Sequence, residues 1–97
     1  MTLTQRILER DGYRCAYCGF SAQTIDHVFS KAEGRRQGIA RDDEAWIVAC
    51  CLDDNLRRLT RRLLPPSWEH RKEELEQMTG KKWKVWAGGK PVTEVLR

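Results

Sequence analysis

The sequence has no apolar run long enough to cross a bilayer and no segment with the pattern of a secretory signal peptide. We therefore expect a cytoplasmic protein that has no membrane partner. Internal repeats and a Pro- or Gly-rich linker are also missing from its 97 residues. Because single domains commonly contain about 50 to 250 residues, residues 1–97 are predicted to form one domain.

The composition is that of a small folded domain with a basic surface. Hydrophobic residues make up 40% and charged residues 33% of the chain, and four tryptophans supply core material. The net charge of +4 favours a polyanionic partner such as nucleic acid, although many modestly basic proteins bind none. A chain this short often depends on a metal, a disulfide or an oligomeric partner. In a reducing compartment its four cysteines favour metal binding over disulfides.

Helices and strands can be predicted from the spacing of apolar residues and from capping and turn residues. Three helices are expected, in residues 2–12, 53–64 and 68–78, the last ended by Gly80. Their predicted N-caps are, in order, Thr2 or Thr4, Asp53 or Asp54, and Ser67. Short strands are expected at 24–29, at 45–51 and on either side of a turn at 87–90. Residues 30–44 contain two glycines and eight charged residues without periodicity, which predicts a loop.

Basic residues surround the leucines of the second predicted helix. The leucines at helical spacing are Leu56, Leu59, Leu63 and Leu64. The candidates for contacts with nucleic-acid phosphates are Lys31, Arg35, Arg36, Arg57, Arg58, Arg61 and Arg62. A solvated helix face is the simpler interpretation of the four later arginines. Trp83 and Trp86, in a Lys-rich segment, are either a stacking platform for bases or core residues, and the core is favoured.

The cysteines have the spacing of a zinc site. Cys15-x-x-Cys18 is half of one, because a tight turn lets two thiolates bind one tetrahedral ion. Cys51-x-x-Asp54 has the same spacing, and Asp is an acceptable although less common zinc ligand. Adjacent Cys50 and Cys51 would point to opposite faces of a strand end, so one of them should bind the metal. The alternative is that both are small core residues and that the Cys-x-x-Cys segment is an ordinary turn.

A second set of polar residues is the pair Asp26 and His27 in a predicted strand. Neighbouring strand side chains point to opposite faces, which suits a division of labour between a metal ligand and a proton acceptor. A neutral imidazole can take a proton from water for attack on a phosphodiester, since its pKa lies near neutral pH. Taken alone, the pair is more typical of a structural histidine.

Three segments in order resemble the HNH endonuclease family: RDGYRCAYCG at 10–19, TIDHV at 24–28 and WIVACCLDDN at 46–55. The resemblance covers residues 10–62, a little over half of the chain. It implies a small α+β protein with a ββα-metal centre, in which strand, loop, strand and helix surround a catalytic ion beside a zinc knuckle. Residues 67–97 would add a C-terminal helix and a short β-hairpin.

The resemblance also implies roles for single residues. His27 takes the position of the general base, and Asp26 and Asn55 take the positions of ligands to a catalytic Mg²⁺ or Mn²⁺ ion. Arg58 takes a position near the cleaved phosphate. The zinc positions are Cys15, Cys18, Cys51 and Asp54. Without the resemblance, Asn55 near a helix start is more typical of a cap.

We therefore expect a metal-dependent endonuclease that cleaves DNA phosphodiester bonds and nicks as a monomer. The chain departs from the family at Trp46, the position of its middle Asn, at Ser30, where Pro often follows the Asp-His pair, and at Asp54, the position of the last zinc Cys. One alternative is a zinc-containing nucleic-acid-binding module with weakened catalysis. Another is a structural zinc module with a protein partner, for example from a phage or mobile element.

Overall fold

The structure, a computed structural model, describes residues 1–58 and 62–86, and for Arg57 and Arg58 it describes the backbone alone. This part of the chain is a small α+β fold with two two-stranded sheets. The helices are α1 (Leu3–Arg10), α2 (Lys31–Arg36), α3 (Leu52–Arg58) and α4 (Lys72–Thr79). The strands are β1 (Thr24–His27), β2 (Ile47–Cys50), β3 (Leu63–Leu64) and β4 (Lys84–Val85), and 3₁₀ turns cover Glu44–Trp46 and Pro66–Arg71.

The antiparallel sheet of β1 and β2 positions the residues discussed below. Thr24 lies opposite Cys50, and His27 lies opposite Ile47. All four residues of β2 are buried, so this strand lies inside the core, whereas β1 is partly exposed. α1 packs on both strands, and α3 follows β2 directly and packs on β1. The strands predicted at 24–29 and 45–51 are confirmed with shorter ends.

The first helix begins and ends where the sequence predicts. The Thr2 hydroxyl accepts the N–H of Gln5 at 3.1 Å, and Oε1 of Gln5 accepts the N–H of Thr2 at 2.9 Å. This reciprocal capping box satisfies two backbone donors at the helix start. After the helix, Oδ2 of Asp11 accepts the N–H of Ala49 at 2.8 Å, which ties the end of α1 to β2.

Residues 31–36 form α2, so the prediction of a loop throughout 30–44 is wrong. Oγ of Ser30 caps this helix by accepting the N–H of Glu33 at 3.1 Å. Ser-x-x-Glu is a known start signal for a helix, and Gly34 inside it costs only about 1 kcal/mol relative to Ala. Glu33 is also buried, so the contacts of its side chain help to hold the helix.

The second predicted helix is too long, and its leucine stripe is wrong. α3 begins at Leu52, and the later leucines of β3 are extended and pair in parallel with β4. Leu64 precedes Pro65, whose ring disfavours helical backbone at the residue before it. Pairing with β4 buries Leu64 completely, whereas Leu56 on α3 is 60% exposed. Leu56 and Leu64 therefore do not share one helix face: Leu64 lies in the core and Leu56 faces solvent.

The third predicted helix is split into a 3₁₀ turn and α4. Ser67 lies inside the turn, and no side chain caps its start at Pro65, so the predicted Ser67 cap is wrong. The pair of prolines fixes the backbone at this entry instead. Gly80 ends α4 in a left-handed conformation with φ of 68°, as predicted. The hairpin turn predicted at 87–90 lies outside the described residues.

The hydrophobic core joins residues from the two ends of the described chain. The rings of Tyr17 and Trp86 meet edge to face with centroids 5.4 Å apart, and those of Phe29 and Trp83 do so at 5.7 Å. Both tryptophans are buried, which confirms the interpretation of them as core residues. Within the described ranges, no helix has the length and apolar character that crossing a membrane requires.

Glu33 is a buried carboxylate among cations from three parts of the chain. Its Oε1 lies 3.1 Å from Nη2 of Arg36, 3.9 Å from Nη2 of Arg62 and 3.9 Å from Nζ of Lys81. Burial alone would raise the pKa of Glu33, but Arg36 and Lys81 outweigh burial and hold the pKa below its ordinary value. The carboxylate thereby connects α2 to the segments that flank α4.

Replacing Glu33 with Gln is expected to lower the free energy of unfolding by about 1.5–3 kcal/mol at neutral pH, the range for hydrogen bonds to charged groups. The folded-state pKa lies below the unfolded one, so the carboxylate contributes stability above the unfolded value of about 4.3 and loses it as the pH falls through the folded value. In urea unfolding, the difference in the free energy of unfolding between Glu33→Gln and the parent should therefore shrink in acid. Glu73→Gln, at an exposed position of α4, is the control. A gap independent of pH would contradict the assignment.

Candidate functional site

Four potential metal ligands from two segments of the chain meet at one point. One ligand atom each from Cys15, Cys18, Cys51 and Asp54 lies within 4.8 Å of all the others. The Sγ atoms of Cys18 and Cys51 are 3.8 Å apart, and Sγ of Cys15 lies 3.3 Å from Oδ2 of Asp54. Three thiolates and a carboxylate suit a tetrahedral ion, so the cluster could hold a metal ion such as zinc. The structure thus brings together the four residues that the sequence predicted.

Backbone geometry on both sides shapes this cluster. The N–H of Tyr17 donates to Sγ of Cys15, and the N–H of Asp54 donates to Sγ of Cys51, both at 3.4 Å. α3 begins at Leu52, so Asp54 lies in the first turn of the helix rather than at the predicted N-cap, and it is buried. Two short turns with N–H groups aimed at sulfur therefore present the ligands to one point.

Cys50 lies outside the cluster although it is adjacent to Cys51. It is completely buried, and its thiol interacts with that of Cys15. This interaction, supported by backbone N–H groups, lowers the pKa of Cys15 to about 5, and the same interaction together with burial raises the pKa of Cys50. Burial raises the pKa of Cys18 and of Cys51, so those two release protons when they bind an ion.

Asp26, on β1, is a buried carboxylate held by a tyrosine from the cysteine turn. The hydroxyl of Tyr17 donates to Oδ2 of Asp26 at 2.6 Å, and Tyr17 is itself 1% exposed. Because Tyr17 lies between Cys15 and Cys18, the turn that supplies two sulfur ligands also fixes this carboxylate. Sequence reasoning missed Tyr17. An aromatic residue between two cysteines was visible, but its contact with Asp26 depends on tertiary packing.

Asn55 connects the first turns of α3 to β1. Its Nδ2 donates to the carbonyl of Ile25 at 3.1 Å, and its backbone N–H donates to the carbonyl of Cys51 at 3.0 Å. Asn55 lies inside the helix, so a role as its N-cap is excluded. Because Nδ2 is the atom that donates to Ile25, the remaining polar atom of the side chain is its oxygen, Oδ1. An amide oxygen is a ligand for hard cations.

His27 is a half-buried histidine whose ring is held by the backbone of Arg41. Burial and then the charge of Arg41 lower the pKa of His27 below its ordinary value, against smaller opposite effects of Asp26 and of the hydrogen bond to the Arg41 backbone. The lowered pKa favours the neutral imidazole, which is the form that accepts a proton. Sequence reasoning missed Arg41, because its contact with His27 depends on how the segment after α2 packs beside β1.

His27 lines two cavities. The larger, of about 420 Å³, is lined by Asp26, His27 and Asn55 together with the cationic residues Lys31 and Arg41. Asp26 contacts Tyr17 and His27 contacts Arg41, in agreement with the prediction that neighbouring side chains of β1 point to opposite faces. Both residues nevertheless line this cavity. The smaller, of about 220 Å³, is lined by His27, Lys31 and Arg41 among others.

The predicted phosphate-binding residues are spread over several places. Lys31 lines both cavities, and Arg35 lines the smaller one. Arg36 and Arg62 lie beside Glu33. The predicted positions whose side chains the structure does not describe are Arg57, Arg58 and Arg61. The described residues thus place cations of α2 next to His27.

Trp46 belongs to a stack that fixes the segment before β2. The guanidinium of Arg71 lies 4.0 Å from the ring centroid of Trp46 and 4.3 Å from that of Trp68. Nη1 of Arg71 donates to the carbonyl of Ala45 at 3.2 Å, and the carbonyl of Trp46 accepts the N–H of Val28 at 3.0 Å. The segment is therefore braced by cation–π contacts and backbone hydrogen bonds. Sequence reasoning missed Arg71, which comes from the second 3₁₀ turn.

Comparisons with protein-family models, with curated proteins and with solved structures find no match to this chain.

Proposed function

We propose that this protein is a divalent-metal-dependent endonuclease of the HNH type, which hydrolyses DNA phosphodiester bonds and nicks as a monomer. The observation that carries the proposal is the one cavity that Asp26, His27 and Asn55 line together. The order β1, β2, α3, with α3 packed on β1, supports a ββα-metal centre. The neighbouring cysteine cluster supports a structural zinc knuckle.

His27 is the general base of the proposed reaction. Its neutral ring takes a proton from water while the water oxygen forms a bond to phosphorus and the bond to the 3′ oxygen breaks. The backbone of Arg41 orients the ring, and the lowered pKa of His27 favours the form that accepts the proton. A positioned base of this kind contributes roughly 10²- to 10⁴-fold to a rate.

Asp26 and Asn55 would hold the catalytic ion, Mg²⁺ or Mn²⁺. A carboxylate and an amide oxygen are ligands that such hard cations accept. When bound, the ion would neutralise charge on the scissile phosphate and on the leaving oxygen. Tyr17 fixes the carboxylate and the Ile25 carbonyl fixes the amide, so both ligands are oriented by the protein.

Cations of the cavity would bind the DNA backbone. Lys31 and Arg41 line it, and the resemblance places Arg58 near the cleaved phosphate. The proposal also accounts for Trp46 in place of the family's Asn. The stack of Trp46, Arg71 and Trp68 braces the segment between the strands without a side-chain amide.

The proposal is tested by incubating zinc-loaded protein with supercoiled plasmid in Mg²⁺, in Mn²⁺ and in buffer without either ion. Open circular plasmid is expected with at least one ion, before linear plasmid, because one site cuts one strand at a time. Omitting the ion is a better control than EDTA, since a chelator would also extract zinc from the cysteine cluster.

Absence of nicking in both ions would overturn the proposal. A gel-shift assay of the same samples then separates the remaining interpretations. Retained binding of DNA without cleavage would indicate the nucleic-acid-binding module with weakened catalysis, whereas loss of both would favour the structural zinc module.

A further inference from the structure

The smaller cavity beside His27 has no role in the hydrolysis described above. Its volume is about 220 Å³, and its lining includes Phe29, Trp46 and Ile39, with the exposed Ala40. Pockets for drug-sized ligands commonly measure about 300–1,000 Å³. This cavity is therefore suited to a single planar ring system.

The lining combines an aromatic wall with three cations and one carboxylate, that of Asp43. The rings of Phe29 and Trp46 contact each other with centroids 5.0 Å apart, and Lys31, Arg35 and Arg41 also line the cavity. Proteins bind unpaired nucleic-acid strands with this combination, because bases stack on aromatic rings and phosphates pair with cations. A neutral apolar ligand would leave the three cations unused, and a simple anion would leave the aromatic wall unused.

The position of the cavity relates it to the strand that would be cut. His27, Lys31 and Arg41 line both this cavity and the larger one that contains Asp26 and Asn55. A strand whose phosphate lies in the larger cavity therefore brings a neighbouring nucleoside to the smaller one. A base paired within a duplex cannot enter such a pocket unless it is flipped out of the stack.

We propose that the smaller cavity binds one unpaired nucleobase next to the cleaved phosphate, so that the preferred substrate is single-stranded or locally unpaired DNA. The location beside the cleaved phosphate rests on the proposed function. Binding of the base does not, because it can be measured without any cleavage.

The experiment measures fluorescence anisotropy of a labelled oligonucleotide, as a single strand and as a duplex, in buffer without Mg²⁺ or Mn²⁺. Ala40→Leu places a larger side chain at the cavity, and Ala32→Leu, at an exposed position of α2 outside the lining, is the matched control. The parent is expected to bind the single strand more tightly than the duplex. Ala40→Leu should weaken single-strand binding by roughly 5- to 100-fold, the range for loss of one stacked base, and leave duplex binding unchanged.

The inference would be overturned by equal affinity of the parent for both DNA forms, or by equal single-strand affinity of Ala40→Leu and Ala32→Leu. Competition with free dAMP distinguishes a base in a strand from a free nucleotide. Displacement of the strand by dAMP at concentrations near the Kd of the strand would assign the cavity to a mononucleotide instead. If the plasmid is not nicked but Ala40→Leu still loses single-strand binding selectively, the proposed hydrolysis fails and the base site stands.

Discussion

Purified Cys51→Ala protein is expected to contain no zinc, whereas Cys50→Ala should keep the one ion per chain expected of the parent. The two residues are neighbours in sequence, yet only Cys51 places its sulfur within 4.8 Å of the other three ligand atoms. Cys50 lies in β2, where it is completely buried, and is not one of the four clustered ligands. Elemental analysis of freshly purified protein measures the zinc content directly.

Loss of the ion is also expected to unfold the chain. Structural zinc contributes about 10–16 kcal/mol of apparent binding free energy in zinc-finger peptides, which is comparable with the roughly 5–15 kcal/mol total stability of an ordinary domain. Cys51→Ala should therefore lose the cooperative thermal transition in circular dichroism, and Cys50→Ala should retain it at a lowered midpoint. Equal zinc content in the two variants, or a parent protein without zinc, would contradict the assignment of the cluster.

His27→Ala is expected to slow plasmid nicking by roughly 10²- to 10⁴-fold, the usual contribution of a general base. The chain contains one other histidine, His70, which is exposed in the second 3₁₀ turn. His70→Ala is therefore the matched control and should nick at the rate of the parent. Initial rates of open-circle formation at saturating metal give the comparison.

The nicking rates of the two histidine variants can be compared as rates of catalysis only when both variants are folded. His27 is only half-buried and lies outside the cysteine cluster, so zinc content and thermal midpoint should be close to those of the parent. Nicking by His27→Ala at the parental rate would remove His27 from the reaction and with it the proposed mechanism.

The features that the sequence predicts correctly are those set by local chemistry. Cys-x-x-Cys and Cys-x-x-Asp spacings identify four ligands because each pair is presented by one short turn. Alternation identifies β1, and the buried apolar run identifies β2. Gly80 ends α4 because a left-handed residue at that position favours glycine. In these cases the information lies within a few residues of the feature.

The errors and omissions arise where distant parts of the chain decide the structure. Leu64 is extended because Pro65 follows it and because β4, far along the chain, offers a partner. The hydroxyl of Tyr17 reaches Asp26 only through packing of the cysteine turn on β1. Arg41 acts on His27 through its charge and its main chain, and nothing in the sequence around His27 indicates that the two residues meet. The helix α2 differs from these cases, since its start signal, Ser-x-x-Glu at residues 30–33, is local.

The aromatic contacts between early and late residues have a consequence for how this protein can be divided. Residues 10–62 contain every proposed ligand and the proposed base, but Trp86 packs on Tyr17 and Trp83 packs on Phe29. Cutting the chain after residue 62 would remove both tryptophans and so expose the rings of Tyr17 and Phe29. It would also remove Arg71, which lies over Trp46. Residues 10–62 are therefore not expected to keep this geometry when they are transferred to another protein or expressed alone, because residues after 62 complete their core.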